Sequence, residues 1–216
     1  MTRPTAPDMP LVIAVDGPAA SGKGTIARAL ASHFGLPHMD TGLLYRAVAL
    51  NLFRFGGDPG NEFAAVRACD LSAVSFDDDE LRSEVVGSYA SRISVYPAVR
   101  AHLLERQRNF AAQAGGAVLD GRDIGTVIAP QASAKLFVTA TPEVRARRRL
   151  AELTARGMKV HLDEVLADIR ARDERDAGRE TAPLVQAGDA MLLDTSEMDV
   201  AQAIAAAIEL VKRHLS

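Results

Sequence analysis

Apolar residues occur along the chain in five short runs, which predict the strands of a buried sheet. Four of these runs, 11–16, 117–121, 134–140 and 190–195, are apolar almost throughout and end in polar or small residues. Parallel strands buried on both faces have this pattern, whereas half-exposed strands alternate apolar and polar residues. The run 36–42 is a weaker fifth candidate.

Between the runs, apolar residues recur at helical spacing. One such pattern places Ile26, Leu30 and Phe34 on a single face and stops at Gly35. A second pattern, 141–157, begins with Thr-Pro and ends with glycine, which are typical start and stop signals of a helix.

Two more helices are predicted in the C-terminal part of the chain. The last one follows Ser196 and has an acid at Asp199, which predicts a capping box at its start. Alternation of strands with helices of this length predicts an α/β fold with a parallel sheet and right-handed crossovers. The inner face of the other helix, over 162–176, is predicted to consist of Leu162, Val165, Leu166 and Ile169.

Composition and charge narrow the classes of protein that fit. A chain of 216 residues with 48% hydrophobic residues fits one globular domain, and its net charge of −3 argues against a polynucleotide partner. The lone cysteine, Cys69, is interpreted as a small apolar filler and suits a reducing compartment. Because the sequence shows neither the apolar N-terminal segment of a signal peptide nor an apolar run of about 20 residues, we expect a cytoplasmic protein.

A glycine-rich loop joins the first predicted strand to the first helix. It reads GPAASGKGT, with Gly17, four residues, and then Gly22-Lys23. Such a loop wraps phosphates with its backbone N–H groups, the helix N-terminus adds partial positive charge, and the lysine reaches the outer phosphates. The order of strand, loop, lysine and helix therefore predicts a nucleotide-phosphate site.

The loop departs from its simplest form in two places. Gly24 follows the lysine and the hydroxyl comes one position later, at Thr25, as in kinases that resemble adenylate kinase. We therefore expect Mg²⁺ to be held through phosphates and water, with no metal site formed by the protein itself. Ala20 stands where such loops often carry glycine, which predicts ordinary backbone angles there.

Arginines and aspartates follow the predicted strands, where open α/β sheets bind ligands. A carboxylate can accept hydrogen bonds from amino groups, and paired arginines form forked, charge-assisted hydrogen bonds with phosphate groups. The motifs are DTGLLYR at 40–46, PAVR at 97–100, DGRDIGTV at 120–127 and RARDERDAGR at 170–179.

Five motifs in order cover nearly the whole chain, from about residue 11 to the final helix. They are GPAASGKGT, DTGLLYR, YASRISVYPAVR, DGRDIGTVIAP and RDERDAGRETAPL. In these motifs the chain resembles bacterial cytidylate kinases, which implies a P-loop kinase that uses MgATP to phosphorylate CMP and dCMP.

The resemblance also implies roles for single residues. For ATP it implies Gly17, Pro18, Ala19, Ala20, Ser21, Gly22, Lys23, Gly24 and Thr25, with Arg148 over the adenine. For CMP it implies Thr41, Arg46, Ser91, Arg100, Arg122, Asp123, Asp176 and Arg179. For transfer of the phosphoryl group it implies Lys23, Arg122, Arg172 and Arg179.

The resemblance further implies a five-stranded P-loop domain over 9–216, a short monophosphate-binding insertion at 57–96 and a lid at 155–180. We expect a monomer that binds ATP and CMP or dCMP, with no nucleic-acid polymer or membrane as partner. The insertion, with its acidic DDDE turn, is shorter than family members usually have.

Alternatives remain open at this stage. A related kinase could act on AMP, UMP or a metabolite hydroxyl, and a nucleotide-binding switch could lack turnover. Taken alone, Arg145 and Arg149 fit a solvated helix face, and the stretch from Arg172 to Arg179 fits a row of surface ion pairs.

Overall fold

Five parallel strands form one sheet with the order β2-β3-β1-β4-β5. The computed structural model describes residues 10–216, so the N-terminal segment and the expected domain boundary at residue 9 lie outside the described residues. The prediction of a five-stranded parallel sheet is confirmed. The strands are β1 (Val12–Asp16), β2 (His38–Asp40), β3 (Ala117–Gly121), β4 (Ala134–Thr139) and β5 (Met191–Asp194).

Strand register brings the carboxyl ends of the strands to one edge of the sheet. Asp16 pairs with Gly121, and Asp40 pairs with Asp120. β1 and β3 are buried along their whole length, as predicted. β5 is different, because it lies at the edge of the sheet and leaves Leu192 55% exposed. The prediction of burial on both faces is therefore wrong for β5.

Helices cover the sheet and extend beyond it, and most begin and end where local signals predict. α1 stops before Gly35, which has φ of 66°, and α6 starts at Pro142 after Thr141, whose Oγ1 accepts from the Val144 N–H. The helices are α1 (Lys23–Phe34), α2 (Thr41–Arg54), α3 (Glu62–Arg67), α4 (Glu84–Ile93), α5 (Pro97–Ala111), α6 (Pro142–Ala155), α7 (Leu162–Ala177) and α8 (Val200–Leu215).

Two local predictions in the C-terminal helices are wrong. Leu162 is 37% exposed because it is the first residue of α7, ahead of the buried Val165 and Ile169. The predicted capping box of Ser196 with Asp199 does not form; the capping box of α8 joins Asp199 to Gln202. Ser196 instead accepts a hydrogen bond at Oγ from the Thr141 N–H, at 3.0 Å.

In the predicted insertion, 57–96, all regular secondary structure is helical. It carries α3, a 3₁₀ turn at Asp79–Arg82 and α4, and no strand occurs within its described residues. Its buried side chains, including Leu81 and Val86, pack in one hydrophobic cluster with α2 and α5. Within residues 10–216, no helix is both long and apolar enough to cross a membrane.

Candidate active site

The glycine-rich loop lies between β1 and α1, and two glycines fix its shape. Gly17 has φ of 154°, and a Cβ at this position would lie 2.0 Å from the Val138 carbonyl oxygen. Gly22 has φ of 89° and is the N-cap of α1. Both positions therefore require glycine, and the loop ends on the N-terminus of a helix.

Ala20 contradicts the expectation of ordinary backbone angles, since its φ is 57°. A left-handed conformation is uncommon for alanine and persists where surrounding contacts impose it. The Ala20 side chain packs against an apolar cluster formed by Ala146, Val165 and Ile169 of α6 and α7. Contacts with these helices thus accompany the unusual backbone of the loop.

Lys23 is a buried cation at the end of the loop. Its Nζ donates to the Pro18 carbonyl oxygen at 3.3 Å, and within residues 10–216 no carboxylate forms an ion pair with it. Burial, with the nearby Arg122 acting in the same direction, lowers the pKa of Lys23 to about 7. An unpaired buried ammonium group is a strong candidate to bind an anion.

A cavity of about 660 Å³ lies next to the loop at the carboxyl edge of the sheet. Nine basic and seven acidic side chains line it, which suits a ligand that carries several charges. Gly17, Pro18, Ser21 and Arg148 lie outside the lining. The predicted residues that do line it are Ala19, Ala20, Gly22, Lys23, Gly24, Thr25, Thr41, Arg46, Ser91, Arg100, Arg122, Asp123, Arg172, Asp176 and Arg179.

Asp123 and Arg100 form a buried ion pair in the lining of the cavity. Arg100 donates to Asp123 Oδ2, and both side chains are less than 10% exposed. The Arg100 guanidinium also lies 5.7 Å from the centroid of the Tyr45 ring. A carboxylate, a guanidinium and an aromatic face thus meet at one place, and these groups suit a polar heterocycle.

Ser91 belongs to the same part of the cavity. Its Oγ accepts from Arg175 Nε at 3.3 Å, so this contact joins α4 to α7.

Asp176 lies between two arginines. Its Oδ2 accepts from Arg122 Nε at 2.8 Å, and its Oδ1 accepts from Arg179. Burial acts against ionisation, but the two guanidinium groups outweigh it and lower the pKa of Asp176. Asp176 is 2% exposed. The interpretation of the stretch from Arg172 to Arg179 as a row of surface ion pairs is therefore wrong for Asp176.

Thr41 and Arg46 approach the cavity from the start of α2. Thr41 Oγ1 donates to the Asp120 carbonyl oxygen at 2.9 Å. Arg46 donates to the Leu81 carbonyl oxygen at 2.7 Å. These bonds join the end of β3, α2 and the 3₁₀ turn around the site.

The guanidinium group of Arg172 forms neither an ion pair nor a hydrogen bond with any residue in 10–216. Burial, together with the nearby Arg122, lowers its pKa to about 10. Arg172 is therefore a second cation facing the cavity without a carboxylate partner among the described residues. A negatively charged ligand would offset the free-energy cost of burying its charge.

The arginines of α6 have roles that the pattern did not predict. Arg145 is 3% exposed and donates to the Ala19 carbonyl oxygen at 3.2 Å, so its reading as a solvated residue is wrong. Arg148 donates to the Ser21 carbonyl oxygen at 3.4 Å and the Thr195 carbonyl oxygen at 2.7 Å. Both side chains hold the outer side of the loop.

Several lining residues were missed by the sequence reasoning. Tyr45 lies within a quoted motif, directly before Arg46, and its aromatic character was the available signal. Arg149 lines the cavity and is paired with Glu84 of α4. Helical spacing from Arg145 could have indicated that Arg149 faces inward.

Carboxylates near Lys23 bear on metal binding. Burial and the neighbouring Asp120 raise the pKa of Asp40, and His38 Nε2 lies 2.7 Å from Asp120 Oδ1. Across residues 10–216, no group of three or more His, Cys, Asp and Glu side chains is arranged to hold a metal ion. Two close carboxylates fit a cation that takes its other ligands from substrate and water.

Solved structures that align with this chain over most of its length support the fold alone, because their sequence identity to it is low. A gluconokinase from Sinorhizobium meliloti aligns over 95% of this chain and 93% of its own length, with a TM-score of 0.51 and 15% identity. An uncharacterized protein from Eubacterium ventriosum aligns over 94% of this chain and 98% of its own, with a TM-score of 0.57 and 16% identity.

Sequence comparisons are much closer. The model of the family described as cytidylate kinase matches residues 13–213. A cytidylate kinase from Xanthobacter autotrophicus is 59% identical over 203 residues, which cover 94% of this chain and 97% of that protein. One from a Caulobacter species is 56% identical over 205 residues, which cover 94% and 95% of the two chains. The chain therefore belongs to the cytidylate kinase family.

Proposed function

We propose that the protein transfers the γ-phosphoryl group of ATP to the phosphate of CMP or dCMP and releases ADP. The observation that carries the proposal is that two cations facing one cavity, Lys23 and Arg172, have no carboxylate partner among residues 10–216. Phosphoryl transfer requires positive charge around the moving group. Membership in the cytidylate kinase family supports CMP as the acceptor.

In this proposal the glycine-rich loop binds the phosphates of ATP. The N–H groups of the loop and Lys23 hold the β- and γ-phosphates. Arg148 is proposed to cover the adenine: its hydrogen bonds use the edge of the guanidinium, and a planar group bound at its edge can still stack by its face.

The acceptor is proposed to lie across the cavity. Asp123 and Arg100 read the cytosine edge together with Ser91, while Thr41, Arg46, Arg122 and Arg179 hold the monophosphate. Asp176 is proposed to contact the sugar hydroxyls. The oxygens of Asp176 already accept from Arg122 and Arg179, so this contact would be shared with two arginines.

Transfer itself needs little more than alignment and charge. A phosphate oxygen of CMP attacks the γ-phosphorus, the bond to the β,γ-bridging oxygen breaks, and the electron pair leaves with ADP. No general base is needed, because the attacking oxygen is already ionised. Arg122, Arg172 and Arg179 neutralise the moving group, and closure of 155–180 excludes water.

Mg²⁺ is proposed as the companion of ATP. When bound, Mg²⁺ would supply positive charge that offsets the negative charge of the phosphates during transfer. Asp40 and Asp120 would hold it through its water ligands, in keeping with their position beside the loop. The region 57–96 is proposed as the monophosphate-binding part, and we propose a monomer in the cytoplasm.

The proposal is tested by ADP release with MgATP and CMP, dCMP, UMP, AMP or no acceptor in separate reactions. Fast turnover with CMP and dCMP, and little with the others, is expected. Turnover that prefers AMP or UMP would keep a kinase but overturn the acceptor. ATP binding without turnover in any reaction would favour a nucleotide-binding switch.

Replacing Asp123 by asparagine should weaken the acceptor selectively. The side chain would no longer accept well from the amine of cytosine, and its amide could donate to the carbonyl of uracil. We expect KM for CMP to rise at least about tenfold and the preference for CMP over UMP to shrink, with KM for ATP unchanged.

Asp189→Asn is the matched control, because Asp189 pairs with the buried Lys135 at 2.7 Å but does not line the cavity. Unchanged CMP kinetics in Asp123→Asn would show that Asp123 does not read the base.

ATP affinity should depend on pH through Lys23. The pKa of this residue is about 7 without ligand, and bound phosphate favours the charged form. As pH rises through 7, the neutral amine accumulates in the free protein, so the Kd of ATP should rise by up to about tenfold per pH unit between pH 7.5 and 9. Titration calorimetry measures this, and Lys23→Arg, which stays charged, should be flat. A flat wild-type profile would contradict the lowered pKa.

A further inference from the structure

Arg145 is a buried arginine outside the lining of the cavity, and every nitrogen of its guanidinium group is used. Nε donates to the Ala140 carbonyl oxygen at 2.9 Å, and NH1 donates to the Ala19 carbonyl oxygen at 3.2 Å. NH1 and NH2 also donate to the two oxygens of Asp173, at 2.9 and 2.5 Å. A forked arrangement of this kind fixes both partners in direction as well as distance.

The first partner is the glycine-rich loop. In a planar trans peptide the C=O and the following N–H point in opposite directions. Holding the Ala19 carbonyl on the outer side therefore turns the Ala20 N–H toward the cavity. The Ser21 carbonyl, held by Arg148 and by Thr195 Oγ1 at 3.4 and 3.3 Å, does the same for the Gly22 N–H.

The second partner is helix α7. Asp173 is the residue after Arg172, and α7 also carries Asp176. Arg145 thus joins the loop to the helix that presents Arg172 to the cavity. Ala20 also packs against the apolar cluster that includes Val165 and Ile169 of α7, and its left-handed backbone lies between the two held carbonyl groups.

We propose that Arg145 and Asp173 are positioning residues that couple the shape of the ATP loop to the position of α7. When α7 packs on α6, Asp173 orients Arg145, and Arg145 keeps the loop N–H groups directed at the phosphates. When α7 moves away, Arg145 loses half of its hydrogen bonds and the loop is less well ordered for ATP. The inference rests on the proposed binding of ATP at this loop.

The test is a double-mutant cycle with Arg145→Met, Asp173→Asn and the double variant, read out as the Kd of ATP and the Kd of CMP measured separately by calorimetry. Asp173→Asn keeps the volume of a side chain that is 28% exposed, so it is expected to fold even if Arg145→Met does not. We expect the Kd of ATP to rise about fivefold in Asp173→Asn and about tenfold or more in Arg145→Met.

The double variant should bind ATP no worse than Arg145→Met, because the two residues act as a unit. The Kd of CMP should stay within about twofold in all three. The control is Glu143→Gln with Arg170→Gln. That pair also joins α6 to α7, at 2.8 Å, but it is exposed, and its loss should leave ATP binding unchanged.

Two results would overturn the inference. One is an ATP affinity in Asp173→Asn equal to that of the control pair, and the other is a parallel loss of ATP and CMP affinity with a lowered Tm, which marks a purely structural role. Lys23→Ala separates the proposed function from this inference. If Lys23→Ala also leaves ATP affinity unchanged, ATP does not occupy the loop and both proposals are wrong.

Discussion

Lys23→Ala is expected to lower kcat/KM for phosphoryl transfer by about 1000-fold or more. The ammonium group is buried beside the loop and lacks a carboxylate partner among the described residues, so in the free protein it is poorly compensated. Phosphate oxygens would supply that compensation, and charge that grows on the transferred group would strengthen it. Steady-state ADP release and single-turnover kinetics measure the loss.

The Tm provides an internal check on this prediction. Removing an uncompensated buried charge should leave the Tm of the ligand-free protein unchanged or raised, so lost activity cannot be assigned to unfolding. Lys159→Ala, at an exposed position in the region proposed as a lid, is the control and should retain wild-type activity. Activity within about tenfold of wild type in Lys23→Ala would rule out a central role for this residue in transfer.

The sheet could be predicted from sequence because its strands are short and apolar. The pattern failed at β5, where Leu192 is more than half exposed. Exposure at the edge of a sheet depends on the order of strands in space, which the local sequence does not contain. The predicted capping box of Ser196 with Asp199 was wrong for a similar reason. Both residues are good N-caps, and the contact that engages Ser196 is with Thr141, which is distant in the sequence.

The site was predicted where its residues follow strands. Strand ends converge in any parallel sheet, so Arg122 and Asp123 after β3 could be placed near the loop before the structure was known. The structure brings most of the predicted residues to one cavity. Whether each binds its proposed part of the substrates remains a prediction.

Arg145 shows what could not be predicted. It lies 126 residues from its loop partner along the chain, and an arginine-rich helix usually has a solvated face. The exposed Arg147 and the buried Arg145 occur in the same run of arginines. Only packing against α7 and the loop distinguishes them, and that packing also accompanies the unusual backbone of Ala20.

Arg172→Gln is expected to lower kcat about 100-fold or more while stabilising the ligand-free protein. Burial and neighbouring arginines lower the pKa of Arg172 to about 10, which means that its charged form is disfavoured in the folded state. Glutamine, which is shorter and uncharged, removes this cost. About 1 kcal/mol of relief in a domain of this size raises the Tm by roughly 2–4 °C.

Opposite changes in activity and stability distinguish a residue kept for chemistry from one kept for folding. Arg170→Gln is the matched control, because Arg170 lies on the same helix but is exposed and paired with Glu143. This variant should change neither kcat nor Tm appreciably. A lower Tm in Arg172→Gln would mean that Arg172 supports the fold through contacts made in solution, whereas a raised Tm with kcat intact would remove it from the transfer step. Loss of activity together with a raised Tm would show that the charge of Arg172 destabilises the ligand-free protein and is needed for phosphoryl transfer, as proposed.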